Sequence, residues 1–124
     1  MDDLKEIMLK IICNKIKMAV LAKFLSIEEY RSDILEDFSE VQREGVETLY
    51  EKYLIYYGKP DIKFEVDSKE NIIDILEETI ELEKTFAKRI GANFGIRQSV
   101  IHNLAEDEKY YYHLKKLLSK DLQE

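Results

Sequence analysis

The sequence predicts an all-α protein, a four-helix bundle built as a single domain over residues 1–124. Polar and apolar residues recur with a period near 3.6, which is the period of an α-helix. One proline and four glycines leave few interruptions, and no Ser/Gly-rich linker divides the chain. A chain of 124 residues can bury one sizeable core but is shorter than chains that usually split into two domains.

Capping boxes indicate where three of the helices begin. In a capping box, two side chains three residues apart satisfy backbone amides at the start of a helix. The matching pairs are Asp3 with Glu6, Ser26 with Glu29, and Asp67 with Glu70. These pairs predict helix starts near residues 3, 27 and 68.

Glycine and proline indicate where the helices end. Gly58 is followed by Lys59-Pro60, which is typical of a helix stop, while Gly91 and Gly95 bracket a break before the last helix. With the start signals, this predicts helices near residues 3–25, 27–57, 68–91 and 96–121.

The segment between Gly58 and Ser68 is too long for a tight turn. In it Ile62, Phe64 and Val66 alternate with charged residues, as in an extended segment lying on a core. Ten extended residues span about 33 Å, which is most of the length of the second helix, about 46 Å. We therefore expect one long crossover between the second and third helices, which would run parallel.

The first helix carries more apolar surface than one face of a bundle can bury. Its apolar residues cover most of its circumference; they are Ile7, Met8, Leu9, Ile11, Ile12, Ile16, Met18, Ala19, Val20, Leu21, Ala22, Phe24 and Leu25. Since a single bundle covers only one side of a helix, we expect a homodimer or larger homo-oligomer formed through the first helix.

Composition restricts the location and the partners. The net charge of -7 repels phosphate backbones and anionic lipids, so neither nucleic acid nor a membrane is an expected partner. Cys13 is the only cysteine, and its apolar helix predicts a buried, inert thiol in a reducing compartment. No apolar run reaches about 18 residues, and the first residues lack the basic region of a signal peptide. The prediction is a cytoplasmic protein.

Three stretches, taken in order, resemble the ferritin-like superfamily. Residues 43–60, from Arg-Glu-Gly-Val-Glu-Thr-Leu-Tyr to Tyr-Gly-Lys-Pro, look like the second helix of ferritins and its glycine turn. Residues 72–84 resemble the third helix, and residues 104–109 resemble the fourth helix of ferritins and rubrerythrins. The resemblance implies a shortened ferritin-like bundle with one long crossover.

The same resemblance implies a degenerate or remodelled di-metal site. Ferritin-like di-iron sites take a Glu, a Glu-x-x-His, a Glu, and a Glu with or without a His. The matching positions here are Ile16, Gln42-x-x-Gly45, Glu83 and Glu108, with Tyr111 where an imidazole could stand. Only Glu83 and Glu108 keep a metal ligand. We expect a non-catalytic structural or assembly protein, or a weak metal binder with no cofactor or loosely held iron or manganese; a metal oxidoreductase is the related enzymatic possibility.

The residues themselves also single out the two carboxylates. Glu83 falls in an apolar stripe with Ile73, Leu76, Ile80, Ala87 and Ile90, and Glu108 falls in one with Ile101, Leu104, Tyr111 and Leu118. A buried carboxylate is costly unless it is paired. Each could lie at a wet edge, bond to Gln42, a tyrosine or a lysine, or bind metal; Lys15, Lys17 and Lys23 are the candidate cations.

Gly45 lies within the second predicted helix, where glycine costs about 1 kcal/mol relative to alanine. A close neighbour is therefore expected there. The neighbour could be an aromatic side chain of another helix or a small ligand.

An alternative function comes from Arg97 and His102. Their Arg-x4-His spacing resembles the catalytic motif of HEPN ribonuclease domains, in which Arg97 would contact phosphate and His102 would act as acid and base. His113 is expected at the surface or the edge of the core, and two histidines are too few for a hemerythrin-like site.

Overall fold

The computed structural model describes residues 2–28, 33–63, 65–67, 69–91 and 95–122. They form four helices, α1 (Asp2–Glu28), α2 (Asp33–Tyr57), α3 (Ile72–Ile90) and α4 (Gly95–Leu122). The described residues contain no strand, so the predicted all-α class with four helices is confirmed. No helix among them is both long enough and apolar enough to cross a membrane.

The predicted helix stops are confirmed. Gly58 follows α2 with a φ of +81° and donates its N–H to the carbonyl of Leu54 at 3.2 Å. Gly91 ends α3 with a φ of +82°. Glycine adopts this left-handed conformation without the strain that a Cβ would cause.

The predicted start of α1 near residue 3 is confirmed, but the capping role of Asp3 and the predicted start of α2 need correction. α1 begins at Asp2, so Asp3 lies inside the helix. Ser26 does not begin α2, because α1 continues to Glu28 and Ser26 donates its hydroxyl to the carbonyl of Lys23 at 2.8 Å. A serine that bonds back to its own helix is satisfied there and is not a cap. Glu29, the other half of the predicted box, lies outside the described residues.

The start of α3 also lies later than predicted. The Asp67 carboxylate accepts a hydrogen bond from the Lys69 N–H at 2.9 Å and so holds a turn that precedes the helix. The N-cap is Asn71, whose side chain accepts from the Ile73 N–H at 2.8 Å. Asparagine is among the preferred N-cap residues, and it replaces the predicted Asp67–Glu70 box.

The described residues between Gly58 and Asp67 form neither helix nor strand. Ile62 packs against the core, whereas Val66 is 37% exposed. Phe64, the middle residue of the predicted alternation, lies outside the described residues.

The four helices pack as a square. α1 packs against α2 and α3, and α4 packs against the same two helices. α1 and α4 therefore lie on one diagonal of the bundle, and α2 and α3 lie on the other.

The apolar core consists of two clusters, and each takes residues from all four helices. The first cluster uses the early parts of α1 and α4 and the late parts of α2 and α3; its buried members are Met8, Ile11, Ile12, Leu49, Tyr53, Phe86, Ala87, Ile96 and Val100. The second uses the opposite parts of each helix; its buried members are Met18, Leu21, Ala22, Leu35, Phe38, Ile72, Leu76, Ile80 and Leu114. The residues between these clusters lie at the centre of the bundle.

Candidate functional site

Four polar side chains occupy the space between the two apolar clusters, one from each helix. They are Lys15 of α1, Gln42 of α2, Glu83 of α3 and Asp107 of α4, and we call them the polar layer. Lys15 is 1% exposed and the other three are 0% exposed. Polar groups buried this deeply are costly unless they pair with one another.

Three members of the polar layer form a closed hydrogen-bonded triangle. The Lys15 ammonium donates to Asp107 Oδ2 at 2.7 Å and to Gln42 Oε1 at 3.1 Å. The Gln42 amide completes the triangle by donating from Nε2 to Asp107 Oδ1 at 2.7 Å. Each oxygen of Asp107 thus has a donor, and the orientation of the glutamine amide is fixed by its two partners.

Glu83 is the fourth member and is held differently. Its Oε2 lies 3.4 Å from the Lys15 ammonium, but neither carboxyl oxygen has a hydrogen-bond partner among the described residues. Burial raises the pKa of Glu83 well above its usual range; Lys15 opposes this rise and the neighbouring Asp107 adds to it. Glu83 therefore binds a proton more readily than an ordinary glutamate does, whereas the Lys15 ammonium and the Gln42 amide each donate to one oxygen of Asp107.

The structure identifies which lysine of the first helix points inward. Lys17 forms an ion pair with Glu70 at 3.6 Å, and Lys23 forms an exposed ion pair with Glu36 at 3.8 Å. Only Lys15, of the three candidate lysines, enters the core.

Glu83 and Glu108, the two positions expected to keep a metal ligand, do not both lie in the core. Glu83 is buried, but Glu108 is exposed and lines a groove between α3 and α4. The inner position belongs to Asp107. The buried residues described on α4 are Ile96, Val100, Asn103, Asp107 and Leu114. The apolar residues of the stripe that contains Glu108 pack against the two clusters but are only partly buried.

The other expected ligand positions differ in a similar way. Ile16 is half-buried beside a groove between α1 and α2, and Lys15 takes the inner place. Tyr111, the position of a possible imidazole, donates its hydroxyl to Glu77 at 2.6 Å at the surface. Gln42 does face the centre of the bundle, where it bonds to Asp107 and not to Glu83.

A side chain of another helix packs close to Gly45, as predicted. It is the amide of Asn103 and not an aromatic ring. A Cβ added to Gly45 would overlap Asn103 Oδ1 and would lie 3.6 Å from Cδ of Lys15. The Asn103 amide nitrogen in turn donates to the carbonyl of Ser99 at 2.8 Å. Gly45 therefore allows α4 to approach α2 directly beside the polar layer.

Arg97 and His102 line different grooves. Arg97 donates Nε to the carbonyl of Ala87 at 3.0 Å and lines a groove beside α3. His102 is exposed and lines a groove beside α2 that also contains Gly45. His113 is exposed as well.

Cys13 is half-buried, not fully buried as expected. Burial raises the pKa of its thiol, and the nearby Lys10 and Lys17 reduce that rise. A raised pKa disfavours the thiolate, which is the nucleophilic form of cysteine.

The polar layer does not fit a di-iron centre. Two iron ions require several carboxylates and usually imidazole, whereas the layer offers two carboxyls, one amide and an ammonium in direct contact with a carboxylate. Within the described ranges, no group of three or more His, Cys, Asp or Glu residues is placed to hold a metal ion.

Comparison with known proteins finds one substantial similarity. The chain is 54% identical over 117 residues to the uncharacterized protein MJ0763 of Methanocaldococcus jannaschii, and the match covers 94% of this chain and 97% of that protein. No family model matches the chain. No solved structure matches it either.

Proposed function

This chain belongs to the same protein family as MJ0763 of Methanocaldococcus jannaschii, and we propose that it is a ferritin-like bundle with a structural or assembly role and no catalytic metal centre. The observation that carries the proposal is the position of the Lys15 ammonium. It lies at the centre of the bundle, 2.7 Å from Asp107 and 3.4 Å from Glu83.

The distribution of helix halves between the two apolar clusters supports the ferritin-like topology. α1 and α4 pass from the first cluster to the second, while α2 and α3 pass from the second to the first. Because α2 and α3 run in the same direction between the two clusters, they are parallel to each other. The segment after Gly58 would then return along the length of the bundle as one long crossover, which is the ferritin-like connection.

The chemistry of the polar layer supports the absence of a working metal centre. A metal cation would be repelled by the ammonium, and the ammonium already supplies the positive charge that the buried Asp107 carboxylate requires. Gln42 adds a hydrogen bond but no charge. In this proposal, the Lys15 ammonium supplies the positive charge that metal ions supply in a ferritin-like enzyme.

Metal content and metal-dependent stability test this proposal. Protein purified without chelators from cells supplied with iron and manganese should contain far less than one metal ion per chain, by elemental analysis. Its melting temperature should not change with Fe²⁺, Mn²⁺ or EDTA, because a ligand that does not bind the native state cannot stabilise it.

Two conservative variants and one control distinguish a metal site in the polar layer from one at the surface. Stoichiometric iron or manganese, with a melting temperature that rises on metal addition, would contradict the proposal if Glu83→Gln and Asp107→Asn both abolish the rise. Glu108→Gln is the matched control, since it removes an exposed carboxylate one residue from Asp107. A rise lost only in Glu108→Gln would place a metal site in the surface groove and would equally contradict a metal-free protein.

A further inference from the structure

The groove between α1 and α2 exposes three large apolar side chains of one helix. Val20, Phe24 and Ile27 follow one another at spacings of four and three on α1 and are 49%, 43% and 58% exposed. They line a groove of about 550 Å³. Contiguous apolar surface of this kind marks an interaction site more often than isolated exposed residues do.

A hydrogen bond joins the two helices at the floor of this groove. The Ser39 hydroxyl of α2 donates to the carbonyl of Ala19 on α1 at 2.7 Å. The exposed apolar residues therefore lie beside a direct contact between the two helices.

The rim of the groove carries ion pairs of both signs, because Lys23 pairs with Glu36 and Arg43 pairs with Glu40 and Glu47. The chain has a net charge of -7, but the charged residues that line this groove are Lys23, Arg43 and Glu40. Arg43 is held at the surface by Glu40 at 2.7 Å and Glu47 at 3.2 Å, and its guanidinium keeps further N–H donors for another acceptor.

The groove between α3 and α4 provides the contrast. Its charged residues are Glu77, Glu81, Glu108 and Lys84, so it is acidic like the whole chain. Two copies that met through this face would bring like charges together. The α1/α2 groove is lined by two basic residues and one acidic residue and also carries the apolar stripe, so it is the face on which a copy of the same chain can dock.

We propose that a second copy of this chain covers the α1/α2 groove in a twofold-symmetric dimer. A twofold contact places the same patch on both sides, so the apolar stripe of one copy meets that of the other, and Lys23 and Arg43 face glutamates of the partner. This inference rests on the assembly role proposed above and specifies the surface and the partner.

Mass measurement in solution tests the dimer. The chain mass is 14.7 kDa, and light scattering at tens of micromolar should give twice this value for the wild type. Val20→Glu and Phe24→Glu together should weaken the dimer by on the order of 100-fold or more, because they place unpaired charges in an apolar contact. Circular dichroism should show unchanged helix content, since both side chains are half-exposed in the single chain.

A control on the opposite face makes the test specific. Tyr112 is 74% exposed beside the α3/α4 groove, and Tyr112→Glu should leave the dimer intact. Arg43→Glu should weaken the dimer without unfolding the chain. A monomeric wild type, or a dimer that persists in the Val20→Glu/Phe24→Glu variant, would overturn the proposal. Neither result depends on metal content, so this proposal and the metal-free bundle can fail separately.

Discussion

Lys15 and Asp107 connect two helices that lie on a diagonal of the bundle and have no direct backbone packing. The Lys15 ammonium crosses the centre and meets Asp107 Oδ2 at 2.7 Å, with both side chains almost fully buried. Gln42 of α2 forms hydrogen bonds with both of these side chains. This ion pair therefore links α1 to α4 across the centre of the bundle, although the backbones of these two helices do not pack against each other.

Removing the lysine should destabilise the protein strongly. We expect Lys15→Met to cost about 3–5 kcal/mol in the free energy of unfolding, because it leaves the Asp107 carboxylate buried without a cation. Urea denaturation measures this loss. Lys10→Met is the matched control, since Lys10 makes an exposed pair with Glu78 at 3.8 Å, and its removal should cost less than about 1 kcal/mol. Equal effects of the two variants would contradict the role of the polar layer.

Stability should fall as the pH rises above the usual pKa of a glutamate. Burial raises the pKa of Glu83 in the folded protein above its ordinary value of 4.5, so the folded state keeps a proton that the unfolded state loses. Between those two pKa values the free energy of unfolding should decrease by up to about 1.4 kcal/mol per pH unit from this group.

Glu83→Gln should remove this part of the pH dependence. The variant keeps the shape of the side chain but has no proton to lose, so its stability curve should be flatter over the same pH range. Chemical denaturation at several pH values compares the two proteins. Parallel curves would show that Glu83 titrates normally in the folded state.

Lys15→Glu should create a site in the core that binds a cation. The change would place three carboxyl groups, from positions 15, 83 and 107, around the site that the ammonium now occupies. Like-charged groups so close must hold protons or bind a cation. We expect a lower melting temperature that Mn²⁺ partly restores, measured by thermal denaturation with and without EDTA. Lys15→Gln, which adds no charge, should not respond to Mn²⁺, and a response in both variants would contradict this explanation.

Gly45→Ala should be destabilising although alanine favours helices. The added methyl group would overlap Asn103 Oδ1, so α2 and α4 would have to separate or the amide would have to move. Overpacking of this kind costs about 1–3 kcal/mol. The same substitution in an Asn103→Ala background should cost less, because the smaller side chain leaves room. A double-mutant cycle measures the coupling, and additive effects would show that Asn103 does not restrict position 45.

The helix count and most helix ends could be predicted from the sequence because glycine signals are local. Gly58 and Gly91 end their helices through their own backbone conformation, which does not depend on distant residues. Ser26 was wrong as a start because its hydroxyl can bond either to a following amide or to a preceding carbonyl. Which of these forms depends on how far α1 can extend along its neighbours.

The register of α4 could not be predicted for a different reason. Two of its faces carry apolar residues three and four positions apart, and the true core face includes the polar Asn103 and Asp107. A hydropathy pattern therefore favours the wrong face, the one that carries Glu108. The presence of Lys15 within the apolar α1 indicates that a buried carboxylate lies opposite it. The sequence pattern does not identify that carboxylate as Asp107, because the two residues are 92 positions apart.

The separation of the core into two clusters by the polar layer affects how the bundle opens. Each cluster holds one end of all four helices together, so one end can fray without exposing the apolar residues of the other. Amide protons near Lys15, Gln42 and Asp107 lie where both ends meet and should exchange with deuterated water only when the whole chain unfolds. Protons at the two ends should exchange in two separate groups, so the molecule should behave as two cooperative units with one common centre.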